Sequence, residues 1–428
     1  MGVLPQGCLA LPSSNDKTLA RAVRKVRLAA MRILMGFPVH ELSPELKVNL
    51  LAARASLMPA LKKSPDQVLD AVGSPDVLPG LLTLASGFGN PEEIFSDILP
   101  SLMIDLSHRR RFGVLEEPIV WENRVGEIKD ARGRRVFRLD PKAKAILADA
   151  SGFSIALGDG SRAKVEVPVP PQKPEEGGGL KLYKGLFPLR RDLPRLCLAT
   201  IDSNPLSMVE AHPDKEGNNI DLGGHPIEEW RDSLGQALDL VKQTIPEWYR
   251  ELGLALERIV PVGYLPEAHL SASYREAPGT VYMTLHPNIV TLGEALIHET
   301  QHGKINAYSW SDAILFNAHT TWTESAVRPD LRPIWGVLLA VHAFVPVAAM
   351  HYAMADQNHP LAKGDWFDRR RAQVLKGNAN GIATLKEKAE PTAIGKDILK
   401  ALYDLDDFLQ EVAPPPPEGI DEDQMPPG

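Results

Sequence analysis

The sequence predicts a mostly helical α+β protein, and two patterns indicate this fold class. Through long segments near both ends of the chain, apolar residues recur at three- and four-residue steps, as in helices that are buried on one face. Around residues 124–139 and 153–167, alternating residues instead flank Gly-containing turns, as in β-hairpins. We therefore expect helices to dominate, with a small β-rich part between them.

The order of these patterns along the chain predicts five segments. They are a helical N-terminal lobe at 1–112, a β-rich hairpin segment at 113–167, a Pro- and Gly-rich linker at 168–180, a helical domain at 181–412 and an acidic, Pro-rich tail at 413–428. Within the helical domain we expect one extended stretch, at 279–285. The tail has too few apolar residues to form a core, so we expect it to be disordered.

Composition excludes several classes of protein. The 428 residues carry a formal net charge of −8, which argues against a nucleic-acid-binding chain. Two cysteines are too few for a disulfide framework or a zinc site built from thiolates. The first residues lack a secretory signal pattern, and no apolar run free of Pro and charge reaches the length of a membrane span. We expect a cytoplasmic protein with no nucleic-acid or membrane partner.

The N-terminal lobe is predicted to begin with a helix over residues 15–35. One face of this helix is basic, with Arg21, Arg24, Lys25, Arg27 and Arg32. A solvated face is the simpler interpretation, and a binding face for an acidic peptide is the alternative. Three Ser-Pro pairs further along predict helix starts at Pro44, Pro65 and Pro75, because the fixed φ of proline suits the first turn.

One short motif indicates chemistry. Residues 298–302 read HETQH inside a segment, 292–306, that has an apolar side and that Pro287 can open as a helix. Residues four apart lie on one face of a helix, so His298 and His302 can bind the same metal ion. Glu299 lies about 100° around the helix from His298 and can instead reach a metal-bound water or an open coordination position. The motif therefore predicts a metal site.

Two ligands do not hold a catalytic metal, and the sequence offers two candidates for the third. Glu324 follows His302 by 22 residues, a spacing that suits a zinc site of two His and one Glu. His342 lies 40 residues after His302, within an apolar helix predicted over 333–355. A single His on such a helix is often a hydrogen-bonded core residue, which argues against His342 as a ligand. The motif lacks a third ligand, however, and this argues for His342. Both candidates remain open on spacing alone.

Two arginines precede that apolar helix. Arg328 and Arg332 are four residues apart, and together they could bind a small dicarboxylate through charge-assisted hydrogen bonds. The alternative is a structural loop in which Asp330 pairs with one of them.

Several segments resemble the HExxH-motif peptide-modification proteins, which are 2-oxoglutarate-dependent peptide β-hydroxylases acting on ribosomally made precursor peptides. The resemblance is specific over 279–304, 328–336 and 342–348, and looser over 201–205 and the N-terminal helix. Val327 stands where many members of the family carry Trp. The resemblance implies a zincin-like metal-binding helix core and a precursor peptide as the substrate partner.

The resemblance also implies a cofactor set. Iron(II) would be held by His298, His302 and, as third ligand, His342, which leaves positions open for 2-oxoglutarate and O₂. Arg328 and Arg332 would bind the distal carboxylate of 2-oxoglutarate, and Glu299 would orient the metal-bound ligand or its hydrogen-bond network. The alternative enzyme is a zinc metallopeptidase with ligands His298, His302 and Glu324, in which Glu299 activates water. A peptide-binding protein with a purely structural metal site is the non-enzymatic alternative.

Overall fold

A computed structural model of the protein describes residues 17–108, 119–122, 127–130, 135–139, 143–149, 152–157, 161–165, 176–177, 180–209, 217–324 and 331–415. The described chain is mostly helical with several small sheets, which confirms the α+β class. The predicted tail lies outside the described residues from position 416 onward.

Five helices form the N-terminal part of the described chain. They are α1 (Thr18–Gly36), α2 (Pro44–Lys63), α3 (Pro65–Val72), α4 (Leu78–Ala85) and α5 (Pro91–His108), with a 3₁₀ turn at Val39–Glu41. Helix α1 matches the predicted first helix within a few residues, and its predicted cap at Ser14 or Asn15 lies outside the described residues. Prolines at the first turns of α2 and α3 confirm two of the predicted helix starts.

The third predicted helix start, at Pro75, is wrong. Residues 73–77 form turns, in which Ser74 accepts backbone hydrogen bonds from Val77 and Leu78, and α4 begins only at Leu78. The side chain of Asp76, within these turns, forms a buried ion pair with Arg258.

Short strands follow in the middle of the chain. They are β1 (Ile119–Glu122), β2 (Glu127–Asp130), β3 (Arg135–Leu139), β4 (Ala143–Asp149), β5 (Gly152–Leu157), β6 (Arg162–Val165), β7 (Glu176–Gly177) and β8 (Leu180–Lys184). Antiparallel pairing of β2 with β3 and of β5 with β6 confirms both predicted hairpins. The strands form two sheets, in the orders β1-β4-β5-β6 and β2-β3-β8-β7. Strand β7 lies in the segment predicted as a linker.

The described part of the remaining chain forms a five-stranded mixed sheet, a two-stranded sheet and six helices. The elements are β9 (Leu186–Pro188), β10 (Cys197–Ala199), α6 (Ile227–Thr244), α7 (Pro246–Ala255), β11 (Arg258–Tyr264), β12 (Ser271–Ser273), β13 (Thr280–Leu285), α8 (Ile289–Ser309), β14 (Trp322–Glu324), β15 (Leu331–Pro333), α9 (Ile334–Asp356), α10 (Asp365–Lys388) and α11 (Ala393–Glu411). The sheet order is β12-β13-β11-β10-β9, with β13, β11 and β10 parallel and both outer strands antiparallel.

The expectation of a single extended stretch in the helical domain is therefore wrong, because β13 is one of five strands in its sheet. Strand β11 is the clearest omission. Its residues are buried on both faces, so the sequence shows no alternation, and Pro261 argues against a central strand. The ladder tolerates the proline because the register between β11 and β13 shifts at a bulge between Pro261 and Tyr264.

Helix α9 is, by length and composition, the one helix in the described ranges that could cross a membrane. In its apolar window, 72% of the residues are buried inside the protein. Its bounds agree with the helix predicted over 333–355, and it packs against α8 and α10. The apolar sequence of α9 is thus accounted for by burial between two other helices.

Part of the predicted basic face of α1 forms ion pairs with other segments of the protein. Arg24 pairs with Asp66, and Arg27 donates to Asp70 at 2.7 Å and to Glu257 at 3.0 Å. The pairs join α1 to α3 and to the residue before β11. Arg21, Lys25 and Arg32 are exposed.

The N-terminal helices are tied to the five-stranded sheet by a buried ion pair. Arg258, the first residue of β11, donates to both carboxylate oxygens of Asp76, at 2.8 and 2.6 Å, and Ser203 donates to the same carboxylate at 3.0 Å. The two charged side chains are 3% and 2% exposed. Burial alone would raise the pKa of Asp76, but the charge and hydrogen bonds of Arg258, together with Lys129 and Ser203, lower it.

We expect Asp76→Asn to lower the free energy of unfolding by about 3–5 kcal/mol, because Arg258 would keep its charge in a buried site without a counterion. Asp66→Asn is the matched control, since its pair with Arg24 is largely exposed and we expect a change within about 1 kcal/mol. Urea unfolding of both variants measures the difference. Equal effects would show that the buried pair does not tie the two parts together.

Candidate metal centre

The motif helix α8 starts directly after the buried strand β13. A three-residue connection joins the two elements, and Asn288 caps the helix by accepting a hydrogen bond from the backbone N–H of Val290 at 2.9 Å. The helix therefore begins at Ile289, two residues after Pro287, which the sequence predicted as its start. The short connection sets where the motif begins relative to the sheet.

Helix α8 is buried along most of its surface. The half-buried positions in the helix body include Thr291, His298, His302 and Ser309, which lie within about 20° of one line along the helix. A side chain added at Gly303, about 100° further around the helix than His302, would meet open space. Both motif histidines thus lie on a half-buried strip of α8.

The two imidazoles are close enough to share a metal ion. Their ring centroids are 4.4 Å apart, and the ring of Phe344 on α9 lies 4.7 Å from that of His298. Burial, followed by the neighbouring charge of His302, lowers the pKa of His298 well below its usual range. Burial also lowers the pKa of His302. Both rings are therefore neutral near pH 7, the form that donates a lone pair to a metal.

Glu299 lies beside this strip, about 100° around the helix from His298, and its side chain reaches the edge of the sheet. It is 3% exposed, and its Oε1 accepts a hydrogen bond from the Ser271 hydroxyl of β12 at 2.6 Å. Its Oε2 is buried and has no hydrogen-bond partner. The carboxylate is thus anchored through one oxygen, while the other is left for a ligand or water.

One turn before His298, a buried charge network fixes α8 to two neighbouring helices. Glu294 accepts from Nε2 of His351 on α9 at 2.8 Å, and from Arg370 on α10 at 2.8 and 2.6 Å. Burial alone would raise the pKa of Glu294, but Arg370 and then His351 lower it to about 2. The charge of Arg370 also contributes to the lowered pKa of His298.

Sequence reasoning missed a further histidine beside the motif. Nδ1 of His269 lies 3.2 Å from the Thr284 hydroxyl, and its Nε2 is buried without a hydrogen-bond partner. Burial and then the nearby His286 lower the pKa of His269 to about 4. No spacing in the sequence singles out His269, because it reaches the motif through strand pairing. Glu294 was also missed, although its place four residues before His298 was a usable signal.

His342 is completely buried on α9, as its apolar surroundings predict. Neither of its ring nitrogens makes a well-formed hydrogen bond, although the backbone of Gln301 lies close enough to oppose the lowering of its pKa. Burial, followed by the charges of Lys304 and His302, lowers its pKa well below the usual value. The ring of His342 therefore lies near the part of α8 that includes His302 and Lys304. The lowered pKa keeps this ring neutral.

Strands β14 and β15 form a hairpin that separates Glu324 from Arg332. Thr323 is opposite Arg332 across the pair and is buried, whereas Glu324 is exposed. Since successive side chains of a strand alternate between faces, Glu324 lies on the other face from Thr323 and Arg332. Arg332 lies against Gly336 at the start of α9, and its charge lowers the pKa of His302. Arg328 and Asp330 lie outside the described residues.

The donor set fits a metal ion in part. His298 and His302 supply two neutral imidazoles on a half-buried strip of α8. Such imidazoles suit zinc and iron alike. Within the described ranges, no group of three His, Cys, Asp or Glu side chains is arranged around one point. Neither His342 nor Glu324 is therefore grouped with the motif pair in this arrangement of side chains.

Comparisons with known proteins do not place the chain in a family. No protein-family model matches the sequence, and no curated protein matches it either. Inferences about the site therefore rest on its residues, their geometry and the sequence resemblance given above.

The lowered pKa of Glu294 makes a pH-dependent contribution to stability. Its pKa is about 2 in the folded protein against about 4.5 when unfolded, so the contribution is present above pH 4.5 and is lost as the pH falls through 2. We expect the difference in unfolding free energy between the parent protein and Glu294→Gln to shrink by about 3 kcal/mol between pH 5 and pH 2.

Chemical denaturation at several pH values measures this difference. Glu387→Gln, at an exposed position of α10, is the control substitution. A pH-independent difference for Glu294→Gln would mean that its carboxylate has an ordinary pKa.

Proposed function

We propose that the protein is an iron(II)- and 2-oxoglutarate-dependent oxygenase with a zincin-like metal helix, and that it hydroxylates a side-chain β-carbon of a ribosomally made precursor peptide. One observation carries the proposal. His298 and His302 are neutral, neighbouring imidazoles on a half-buried strip of α8. Such a pair gives a metal two nitrogen ligands and leaves its remaining positions to a third ligand, a co-substrate and O₂.

The charges around the pair support an anionic co-substrate. Arg332 acts on His302 and Arg370 acts on His298, so one guanidinium influences each imidazole. Arg332 is the candidate for a carboxylate, because the sequence resemblance implies this role and its charge acts on His302. A guanidinium suits the distal carboxylate of 2-oxoglutarate because it donates two parallel hydrogen bonds. Arg328 keeps the same predicted role.

His342 remains the candidate third ligand. A buried imidazole whose one polar neighbour is the Gln301 backbone, without a well-formed hydrogen bond, carries a desolvation cost that a metal bond would offset. Because the lowered pKa keeps the imidazole of His342 neutral, one of its ring nitrogens has a lone pair for such a bond. Glu324 has less support, since its carboxylate is exposed on the face of its strand opposite Arg332.

The bound iron and 2-oxoglutarate would supply the oxidising chemistry that attacks an unactivated C–H bond. The protein's own residues then have three tasks. His298, His302 and His342 hold the metal, Arg332 orients the co-substrate, and Phe344 keeps water from one side of His298. Glu299, held by Ser271, orients groups beside the metal through its free Oε2.

Anaerobic reconstitution of the metal-free protein tests the proposal. With Fe(II) and 2-oxoglutarate together we expect a visible metal-to-ligand charge-transfer band, which succinate in place of 2-oxoglutarate should not produce. His298→Ala is the control and should give no band. Absence of the band in the parent protein, together with peptide cleavage in the presence of zinc alone, would contradict the oxygenase.

A zinc metallopeptidase is the second candidate. Its support is the free Oε2 of Glu299, a buried carboxylate oxygen of the kind that activates a metal-bound water. It requires Glu324 as the third ligand.

The third ligand separates the two candidates. We expect His342→Ala and His342→Gln to lower bound iron and abolish turnover, and Glu324→Ala to keep most of the metal. The Gln variant retains polar volume at the buried site, so a fall in metal content in both His342 variants is not explained by a cavity. Metal analysis after gel filtration measures this. Loss of metal in Glu324→Ala with retention in the His342 variants would favour the peptidase.

The role of Arg332 gives another prediction. We expect Arg332→Ala to weaken 2-oxoglutarate binding by about 30-fold or more, since a desolvated carboxylate loses its paired donor, while iron affinity changes little. Titration of the anaerobic iron-loaded protein with 2-oxoglutarate measures the affinity. Arg369→Ala, at a residue paired with Asp365 on α10, is the control. Unchanged affinity in both Arg332→Ala and Arg328→Ala would show that these arginines only stabilise the hairpin.

A further inference from the structure

We propose that His269 is a positioning residue of the candidate metal centre, with its Nε2–H and the Oε2 of Glu299 bound to the same water molecule. The inference rests on the function proposed above, because it adds a residue to the same centre. His269 lies two residues before Ser271, whose hydroxyl donates to the other oxygen of Glu299 at 2.6 Å. The Glu299 carboxylate would thus be held through both of its oxygens.

The hydrogen bonds of Thr284 determine which nitrogen of His269 carries the proton. The Thr284 hydroxyl accepts from the N–H of Leu270 at 3.0 Å. Its own proton can go to Nδ1 of His269 at 3.2 Å or to the carbonyl oxygen of Leu270 at 3.4 Å. The shorter contact is closer to the usual length of such a bond, so we assign Nδ1 as the acceptor. A neutral ring then carries its proton on Nε2.

His269 is neutral and lies close to the motif. Burial, followed by the charge of His286, lowers the pKa of His269 to about 4, so its ring carries a single N–H near pH 7. The charge of Glu299 opposes this lowering, and His269 in turn contributes to the lowered pKa of His298. His269 therefore lies within electrostatic reach of both motif residues.

Two buried polar atoms beside the motif need a partner. Within the described part of the chain, neither Nε2 of His269 nor Oε2 of Glu299 has a hydrogen bond, so the two atoms do not bond each other directly. Leaving either of them unpaired in a buried site is costly. A water molecule that accepts from Nε2–H and donates to Oε2 satisfies both, and buried waters bind otherwise unpaired polar groups in this way.

The bridge would restrict the motion of Glu299. A carboxylate that is held at one oxygen can still turn about its last torsion, which has broad minima, whereas one held at both oxygens keeps its plane. Each carboxylate oxygen has two lone pairs, so Oε2 keeps an acceptor position for a group beside the metal. Hydrogen-bonded partners around a metal site typically change affinity or activity by about 10- to 100-fold. The role of His269 is thus to hold Glu299 in the orientation from which it reaches such a group.

The protonated nitrogen of His269 is the first measurement. Long-range proton–nitrogen correlation spectra of the metal-free protein, with ¹⁵N-labelled histidine and near pH 7, identify the tautomer, and His269→Gln assigns the signal. We expect the proton on Nε2 in the parent and in Thr284→Ser, which keeps the hydroxyl, and a mixture of tautomers in Thr284→Val. Glu299→Gln should shift the Nε2 signal, and Glu387→Gln, at an exposed position of α10, should not. A proton on Nδ1 in the parent, or no shift in Glu299→Gln, would overturn the proposal.

The second measurement separates positioning from metal binding. We expect His269→Leu to lower turnover about tenfold or more while the affinity for iron changes less than about threefold, because the ring acts through Glu299. His269→Gln places an amide N–H near the position of Nε2 and should restore most of the turnover. Equal losses in both variants, or a loss of iron affinity as large as the loss of turnover, would overturn the proposal. The spectra of the Thr284 and Glu299 variants decide the question if His269→Leu does not fold.

The spectra do not depend on oxidation. The expected tautomer and shift, in a parent protein that gives neither the charge-transfer band nor hydroxylation, would refute the proposed function and keep the link between His269 and Glu299. Hydroxylation by a parent protein in which Nδ1 of His269 carries the proton would keep the function and refute the link.

Discussion

The burial of α8 is the constraint on which the rest of this structure depends. A 21-residue helix that carries two histidines, two glutamates and a lysine is enclosed by α1, α6, α7, α9 and the edge of the sheet. Within the described part of the chain, His298 and His302 lie on a strip of α8 that is half-buried rather than fully enclosed. Because unpaired polar groups are costly inside a protein, each buried charge on α8 needs a partner from a surrounding element.

Those partners set the rotation of the helix. Glu294 binds His351 and Arg370, and the completely buried Lys304 binds Glu251 of α7 at 2.8 Å. The two pairings lie on either side of the motif along the helix and tie it to three other helices. Rotation of α8 about its axis would break both pairings. The half-buried strip with His298 and His302 is therefore held in one orientation. The charge network thus orients the site rather than simply adding stability.

Local signals in the sequence predicted much of this arrangement, and long-range ones were missed. The motif spacing predicted the shared face of His298 and His302, and the apolar steps around His342 predicted its burial, because helical periodicity is local. Strand β11 escaped prediction since it is buried on both faces and contains Pro261. His269 and Arg370 reach the motif only through sheet pairing and helix packing, and no spacing along the chain records those contacts.

The proposed function requires that His298 and His302, on the half-buried strip of α8, bind one iron ion. Anomalous diffraction at the iron edge, from crystals of the anaerobically loaded protein, tests this most directly. We predict a single peak at about 2.1 Å from a ring nitrogen of each histidine, and no such peak in His302→Ala. A peak elsewhere, or one bound to neither imidazole, would contradict the account.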